Sequence, residues 1–165
     1  MNKVDPRVPV IYILPKVHKD AVNYPGRPII LACGSLTEPL AQYVDIFLKD
    51  FARDTESYIR DSSDMILNIE DIPFDPLQEI LVCMDIASLY TNIPQQEGIE
   101  VIRNALDSRA RPCWVPTSFI IELLSLALTK NYFEFNGRYF LQVKGTSMVA
   151  SFAPNFAILF VDNFE

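Results

Sequence analysis

Two short stretches near the start of the chain are rich in β-favouring apolar residues, which predicts a β-hairpin. Residues 10–15 and 28–32 consist largely of Val, Ile and Leu. The sequence Asn23-Tyr24-Pro25-Gly26 between them is typical of a turn. The loop end of this hairpin carries three cations: Lys16, Lys19 and Arg27.

Periodicity in the rest of the chain predicts one more hairpin and several helices. Aromatic runs flank Asn136-Gly137, and Asn-Gly in that setting favours a two-residue hairpin turn. Elsewhere, apolar residues recur at helical spacing with polar residues opposite them. The helices predicted in this way cover residues 40–51, 61–69, 95–109, 117–130 and a final stretch from Met148 on.

One further apolar run is followed by an acidic residue that could bind a metal ion. Residues 80–84 favour a buried strand, and Asp85 follows at its end. A turn is predicted at Ala87-Ser88, and Tyr90 comes five residues after the acid. Asp85 is either a ligand for Mg²⁺, which prefers oxygen donors, or an acid that caps the turn. Tyr90 is either the floor of a nucleotide pocket or a tyrosine packed on the core.

Two other groups of residues also have alternative interpretations. The hairpin cations could clamp a triphosphate, since Arg forms paired hydrogen bonds with phosphate oxygens, or they could form a solvated face. His18, between them, is too isolated to be assigned a catalytic role. The sequence Lys144-Gly145-Thr146-Ser147 could present backbone N–H groups to an anion, or it could be an ordinary loop with a helix cap.

The composition indicates a single globular domain. Half of the 165 residues are apolar and 21% are charged, which is enough apolar surface for one core. The longest apolar run, 119–128, contains Glu122 and Ser125 and is too short to cross a bilayer. Because the sequence starts without an apolar signal segment, we expect an intracellular protein.

Charge and cysteine content limit which ligands and metal sites are expected. The net charge of −7 opposes general binding to nucleic acid, although five cations fall within the first 27 residues. Three widely separated cysteines and one histidine do not suit a four-ligand zinc site. We therefore expect buried free thiols, with Cys83 in the core.

The order of these elements resembles the fingers and palm of reverse transcriptases. Several strings resemble Penelope-like retroelement reverse transcriptases in particular, and together they span nearly the whole chain. The most specific of them is Ser88-Leu89-Tyr90-Thr91-Asn92-Ile93-Pro94. The others are Leu14-Pro15-Lys16-Val17-His18-Lys19, Gly26-Arg27-Pro28-Ile29, Gly34-Ser35-Leu36-Thr37-Glu38, Asn136-Gly137, the 142–148 segment, Phe152-Ala153-Pro154 and Phe164-Glu165.

The resemblance implies roles for individual residues. Asp85 matches the first catalytic metal-binding aspartate, and the carbonyl of Ile86 would be a second ligand to the same Mg²⁺. Tyr90 matches the aromatic residue that screens the sugar 2′ position of the incoming nucleotide. The remaining matches are Arg27 and Lys16, which would hold the triphosphate, and Lys144 and Gly145, which would shape the pocket for the nascent base pair.

Two departures from the family pattern bear on activity. Val149 follows Met148 where the family usually has Gly, and a branched side chain would resist a positive φ and close approach of substrate. The family's Asp-Asp pair, on a hairpin after the last helix, has no counterpart in the 165 residues, and Asp162 and Glu165 do not replace it. Catalysis of this kind uses two ions about 3.5–4 Å apart, and one acid cannot hold both.

The resemblance therefore implies a single, catalytically incomplete α+β domain. Residues 1–34 would be a remnant of the fingers hairpin, and residues 35–165 an antiparallel palm sheet with helices on one face. Intact relatives use an RNA template, a DNA primer, deoxynucleotide triphosphates and Mg²⁺, act in the nucleus and need no membrane. An open apolar strand edge beside Asp85 predicts self-association. The alternatives are a non-catalytic nucleic-acid-binding remnant, with Lys16, Lys19 and Arg27 on a duplex backbone, and a protein-interaction fragment of a decayed retroelement.

Overall fold

The computed structural model describes residues 5–19, 22–109 and 114–164, and within them the chain is α+β. Three residues of the sequence analysis lie outside the described residues: Lys3, one of the five early cations, Cys113, one of the three cysteines, and Glu165. The described elements are β1 (Val10–Pro15), β2 (Gly26–Leu31), α1 (Glu38–Arg53), α2 (Ser62–Glu70), α3 (Leu89–Asn92), α4 (Gln95–Asp107), α5 (Thr117–Thr129), β3 (Tyr132–Phe135), β4 (Arg138–Leu141) and α6 (Ala153–Asp162).

Both predicted hairpins are confirmed. β1 and β2 pair antiparallel, with Val10 opposite Leu31 and Leu14 opposite Arg27. β3 and β4 are joined by Asn136 and Gly137, whose φ angles of 49° and 72° are those of a hairpin turn with two left-handed residues. The two hairpins meet to form one sheet in the order β2-β1-β3-β4.

The prediction of an antiparallel sheet is wrong, because β1 and β3 run parallel where the hairpins meet. Each hairpin is set by its own turn, whereas the direction in which two hairpins meet depends on the path of the intervening helices. Local turn signals carry no information about that path, so they could not predict the parallel contact. With two antiparallel pairs and one parallel contact, the sheet is mixed.

The core lies among four helices. α1 and α4 each pack against both α5 and α6. The side chains that fill the space between them are fully buried, and each contributes about 1.5–3 kcal/mol relative to exposure. Among the largest are Phe152, Phe156, Leu48, Ile102, Leu106, Ile120 and Leu124.

The predicted arrangement of helices against one face of the sheet is not what organises this core. Of all the strand residues, only Ile30 is buried. The core cluster consists of helix residues together with Ile93, Val115 and Phe152 from connecting segments. The sheet is thus a mostly exposed layer beside the helical core, joined to it near Ile30.

The predicted strand before Asp85 is absent, and this is the largest correction to the sequence analysis. Residues 79–86 are irregular, and every residue from 65 to 88 is exposed. An apolar run becomes a buried strand only where another strand pairs with it, and no described strand lies beside this one. Cys83 is consequently exposed rather than in the core, and Cys33 is exposed as well.

Candidate functional site

An open cleft of about 940 Å³ lies between the β1–β2 hairpin, the segment around Asp85 and one side of α6. It contains most of the residues that the sequence singled out. The predicted site residues that line it are Lys16, Arg27, Asp85, Ile86 and Tyr90. His18 and Lys19 line it as well. Residues more than 50 positions apart in sequence therefore share one surface.

The β1–β2 hairpin positions the cations. Arg27 lies in β2 opposite Leu14, and the backbone N–H of Lys16 donates to the carbonyl of Pro25 at 2.9 Å. This pairing keeps Lys16 and Arg27 at the same end of the hairpin. Lys19 lies in the turn that follows, where its N–H donates to the Lys16 carbonyl at 3.0 Å. Three positive charges thus flank one wall of the cleft.

A tight turn forms the opposite wall. Ser88 has φ 54° and ψ 42°, a left-handed conformation that is uncommon for a residue other than Gly, Asn or Asp. The hydroxyl of Thr91 donates to the Ser88 carbonyl at 2.9 Å, and the amide of Asn92 donates to the Ala87 carbonyl at 3.2 Å. These bonds reverse the chain directly after Asp85 and bring Tyr90 to the same surface as the acid.

Lys144 and Gly145 do not line the cleft, but their loop supports it from behind. The N–H of Gly145 donates to the Ile93 carbonyl at 3.1 Å, and the N–H of Thr146 donates to the Tyr90 carbonyl at 2.7 Å. Gly145 has φ 70°, and a Cβ there would collide with the Tyr90 carbonyl oxygen. Lys144 reaches the Asn92 side chain at 3.4 Å. The loop therefore holds the turn by backbone contact rather than forming part of the cleft surface.

The same loop connects both walls. The hydroxyl of Ser147 donates to the Ile30 carbonyl at 3.2 Å, a buried bond that reaches β2. The side chain of Gln95, at the start of α4, donates to the Gly145 carbonyl at 2.9 Å and to the Leu128 carbonyl at 3.3 Å. The hairpin wall and the turn wall are thus fixed to a common support.

The charges in the cleft are not neutralised within the described residues. The ion pairs among the described residues are both formed by Arg60, outside the cleft. Arg60 contacts Asp61 at 3.2 Å and Asp64 at 3.8 Å. Asp85 and the three cations therefore have no ion-pair partner in the described part of the chain. Among the described lining residues, three cations stand against one carboxylate, an excess of positive charge on a protein of net charge −7.

The donor set suits one weakly held Mg²⁺ and not a pair of ions. Asp85 is the single carboxylate among the described residues that line the cleft, and Ile86, whose carbonyl the resemblance assigns to the same ion, lines it as well. A hard cation can bind one carboxylate together with substrate phosphates and water. The described residues contain no group of three or more His, Cys, Asp or Glu side chains that could hold a metal ion.

The third wall, which comes from α6, was not predicted as part of the site. Pro154, Ala157, Ile158 and Val161 line the cleft on this side. The sequence signal available here was a row of small side chains along the helix, Ala150, Ala153 and Ala157, which indicates that another element packs closely but does not identify that element. Val149 does not line the cleft and does not have a positive φ.

No helix among the described residues has both the length and the apolar character needed to cross a membrane. Comparison with protein-family models, with curated proteins and with solved structures gave no match to this chain.

Proposed function

We propose that this chain is part of an RNA-directed DNA polymerase domain similar to those of Penelope-like retroelements, and that its cleft binds a deoxynucleotide triphosphate. The observation that carries the proposal is the joint presence in one cleft of Lys16, Arg27, Asp85 and Tyr90. The sequence resemblance assigned these four residues to one nucleotide site without reference to their positions in space. Their assembly supports the proposal because unrelated motif matches would not be expected to share a surface.

The chemistry of each wall fits this ligand. Arg27 and Lys16 line the cleft and would hold phosphate oxygens through charge-assisted hydrogen bonds, which are about twice as strong as neutral ones. Asp85 would share one Mg²⁺ with those phosphates. Tyr90, half-buried against the supporting loop, offers a fixed surface to the sugar. As part of a retroelement polymerase the protein would act in the nucleus, on an RNA template and a DNA primer.

We further propose that the chain by itself binds nucleotide without catalysing its transfer, since it supplies one carboxylate to a reaction that needs two ions. Primer extension on an RNA template tests this point. We expect no synthesis by the purified chain. Template-dependent synthesis that is lost in Asp85→Ala would overturn the claim of incompleteness while supporting the assignment of the site.

Binding of a fluorescent deoxynucleotide triphosphate tests the site itself. Arg27→Ala should weaken binding by about tenfold, the factor expected for loss of one charge-assisted hydrogen bond. Arg103→Ala, which removes an equal charge from an exposed position on α4, is the matched control and should have little effect. Equal affinities in the two variants would contradict the proposed role of Arg27.

The metal is tested separately with Mn²⁺ in place of Mg²⁺. In the presence of nucleotide, relaxation enhancement of solvent water should reveal a bound ion that is lost in Asp85→Asn. Asp107→Asn, an exposed acid outside the cleft, is the control. Retention of the ion in Asp85→Asn would remove Asp85 from the site.

Non-catalytic binding to a nucleic-acid backbone is the second candidate, favoured by the unpaired charges of Lys16, Lys19 and Arg27. It is distinguished by the salt dependence of binding to an RNA–DNA duplex. Binding that weakens steeply with salt, with a smaller slope in Arg27→Ala, would favour this function over a nucleotide site. A flat response would exclude it.

A further inference from the structure

A second cavity, of about 30 Å³, lies where the 144–147 loop meets the start of α1 and the end of α5. Among the described residues, none lines both this cavity and the nucleotide cleft. Part of the lining is apolar and part is polar. The apolar part includes Ala41, Ala127, Leu128 and Phe152, and the polar part includes Glu38, Asn131, Thr146 and Ser147.

The hydroxyl of Thr146 is an anomaly in this lining. Thr146 is 2% exposed, and its Oγ1 is the single buried side-chain polar atom in the described part of the chain that reaches no hydrogen-bond partner. A buried hydroxyl without a partner lowers the folding equilibrium constant by a factor of about five or more. Buried polar groups in folded proteins are nearly always paired with protein or with ordered water. The hydroxyl therefore points to a ligand in the cavity.

The other polar groups of the lining have acceptor sites to spare. The hydroxyl of Ser147 donates its hydrogen to β2, which leaves its oxygen free to accept. The Glu38 carboxylate accepts from the Gly34 N–H at 2.6 Å, and a carboxylate offers about four acceptor sites. Asn131 donates through its amide nitrogen to Gln142 at 2.8 Å, and its amide oxygen is an acceptor. The ligand must therefore be able to donate hydrogen bonds as well as accept one.

The size of the cavity and its access to solvent limit the ligand to water. One water needs about 10–15 Å³ measured in this way, so 30 Å³ holds about two, whereas cavities that bind an aromatic ring are about 150 Å³. Cavities that stay dry are lined by apolar groups alone, unlike this one. Cys33 and Ser151 belong to the lining and are exposed, so solvent can reach the cavity.

We propose that this cavity is a water-binding site, in which at least one ordered water pairs with the Thr146 hydroxyl and donates to the acceptors around it. The backbone N–H of Thr146 donates to the Tyr90 carbonyl at 2.7 Å, and Glu38 holds the Gly34 N–H in the segment after β2. The bound water thus helps to join the loop behind Tyr90 to α1. This inference does not depend on the proposed nucleotide function.

The sign of one stability change tests the proposal. Thr146→Val replaces the hydroxyl by a methyl group of similar size. If water satisfies the hydroxyl, the substitution removes a hydrogen bond and should raise the equilibrium constant for unfolding about fivefold. If the hydroxyl is buried without a partner, the same substitution removes a penalty and should lower that constant. Urea denaturation followed by circular dichroism distinguishes the two, and a stabilised or unchanged Thr146→Val would overturn the proposal.

A double-mutant cycle locates the effect in the cavity. Ala127→Val adds two methyl groups to the lining from α5, and should displace water and leave the Thr146 hydroxyl unpaired. Combined with Thr146→Val, it should therefore cost less than the sum of the two single variants. Gly137→Ala is the control partner, since nothing lies within 4 Å of its Cβ position, and its effect should add to that of Thr146→Val. Additive behaviour of the Ala127 pair would contradict a shared water.

A crystal structure of the unsubstituted chain gives a direct measurement that needs no variant to fold. We expect an ordered water about 2.7–3.0 Å from Thr146 Oγ1 and within hydrogen-bond distance of at least one of Glu38, Asn131 and Ser147. Absence of density in the cavity, or a protein group bonded to the Thr146 hydroxyl in place of water, would overturn the proposal.

Discussion

Substitution of Gly145 tests whether the 144–147 loop supports the cleft. A Cβ at this position would collide with the Tyr90 carbonyl oxygen and would lie 2.6 Å from Thr91 Cα, a separation that Cβ atoms do not adopt. The obstacle is backbone, so no side-chain rotation relieves it. In Gly145→Ala the loop and the turn must therefore separate.

The magnitude follows from two contributions. Placing Ala at φ 70° costs about 1 kcal/mol, because its Cβ approaches the following carbonyl oxygen. Separation of the loop from the turn also breaks the bonds from Gly145 N–H to Ile93 and from Thr146 N–H to Tyr90, each worth about 1 kcal/mol net. Gly145→Ala should thus lower the free energy of unfolding by about 3 kcal/mol.

Gly137→Ala supplies the matched control. Gly137 has φ 72°, almost the same backbone conformation, but nothing lies within 4 Å of the position that its Cβ would take. This variant should lose only the conformational contribution, about 1 kcal/mol. Urea denaturation followed by circular dichroism measures both variants. Equal losses in the two would show that the loop does not hold the turn by close backbone approach, and would refute the reasoning.

Three further predictions concern the turn, the loop and α2. Ser88→Val should destabilise the fold by about 2 kcal/mol in urea denaturation, because a β-branched residue resists φ 54°. Ser88→Gly should be close to neutral, and equal stability of the two variants would argue against the left-handed turn. Ser147→Ala should cost about 1 kcal/mol by removing the buried bond to the Ile30 carbonyl, and an unchanged midpoint relative to wild type would contradict that bond. The hydrogen bond from the Asp64 backbone N–H, and then Arg60, hold the pKa of Asp61 below its ordinary value of 3.8. The stabilisation of α2 by Asp61 should be present above pH 3.8 and lost as the pH falls through the lowered pKa, as followed by amide chemical shifts of residues 62–70, and Asp61→Asn should remove this titration.

Local sequence signals predicted the local structure well. The Asn136-Gly137 turn and the buried face of α4 each depend on residues only a few positions apart. Hydrophobic periodicity and turn preferences report on interactions of that range. The boundaries of these elements consequently agree with the predictions to within a few residues.

Non-local pairing was not predictable in the same way. The apolar run before Asp85 has strand composition, but strand formation needs a neighbour that composition cannot specify. The parallel contact between β1 and β3 depends on where two distant hairpins meet. The position of α6 beside the cleft is of the same kind. The family resemblance assigned Arg27 and Asp85 to one site. Hydrophobic periodicity could not have done so, because it reports only on residues a few positions apart.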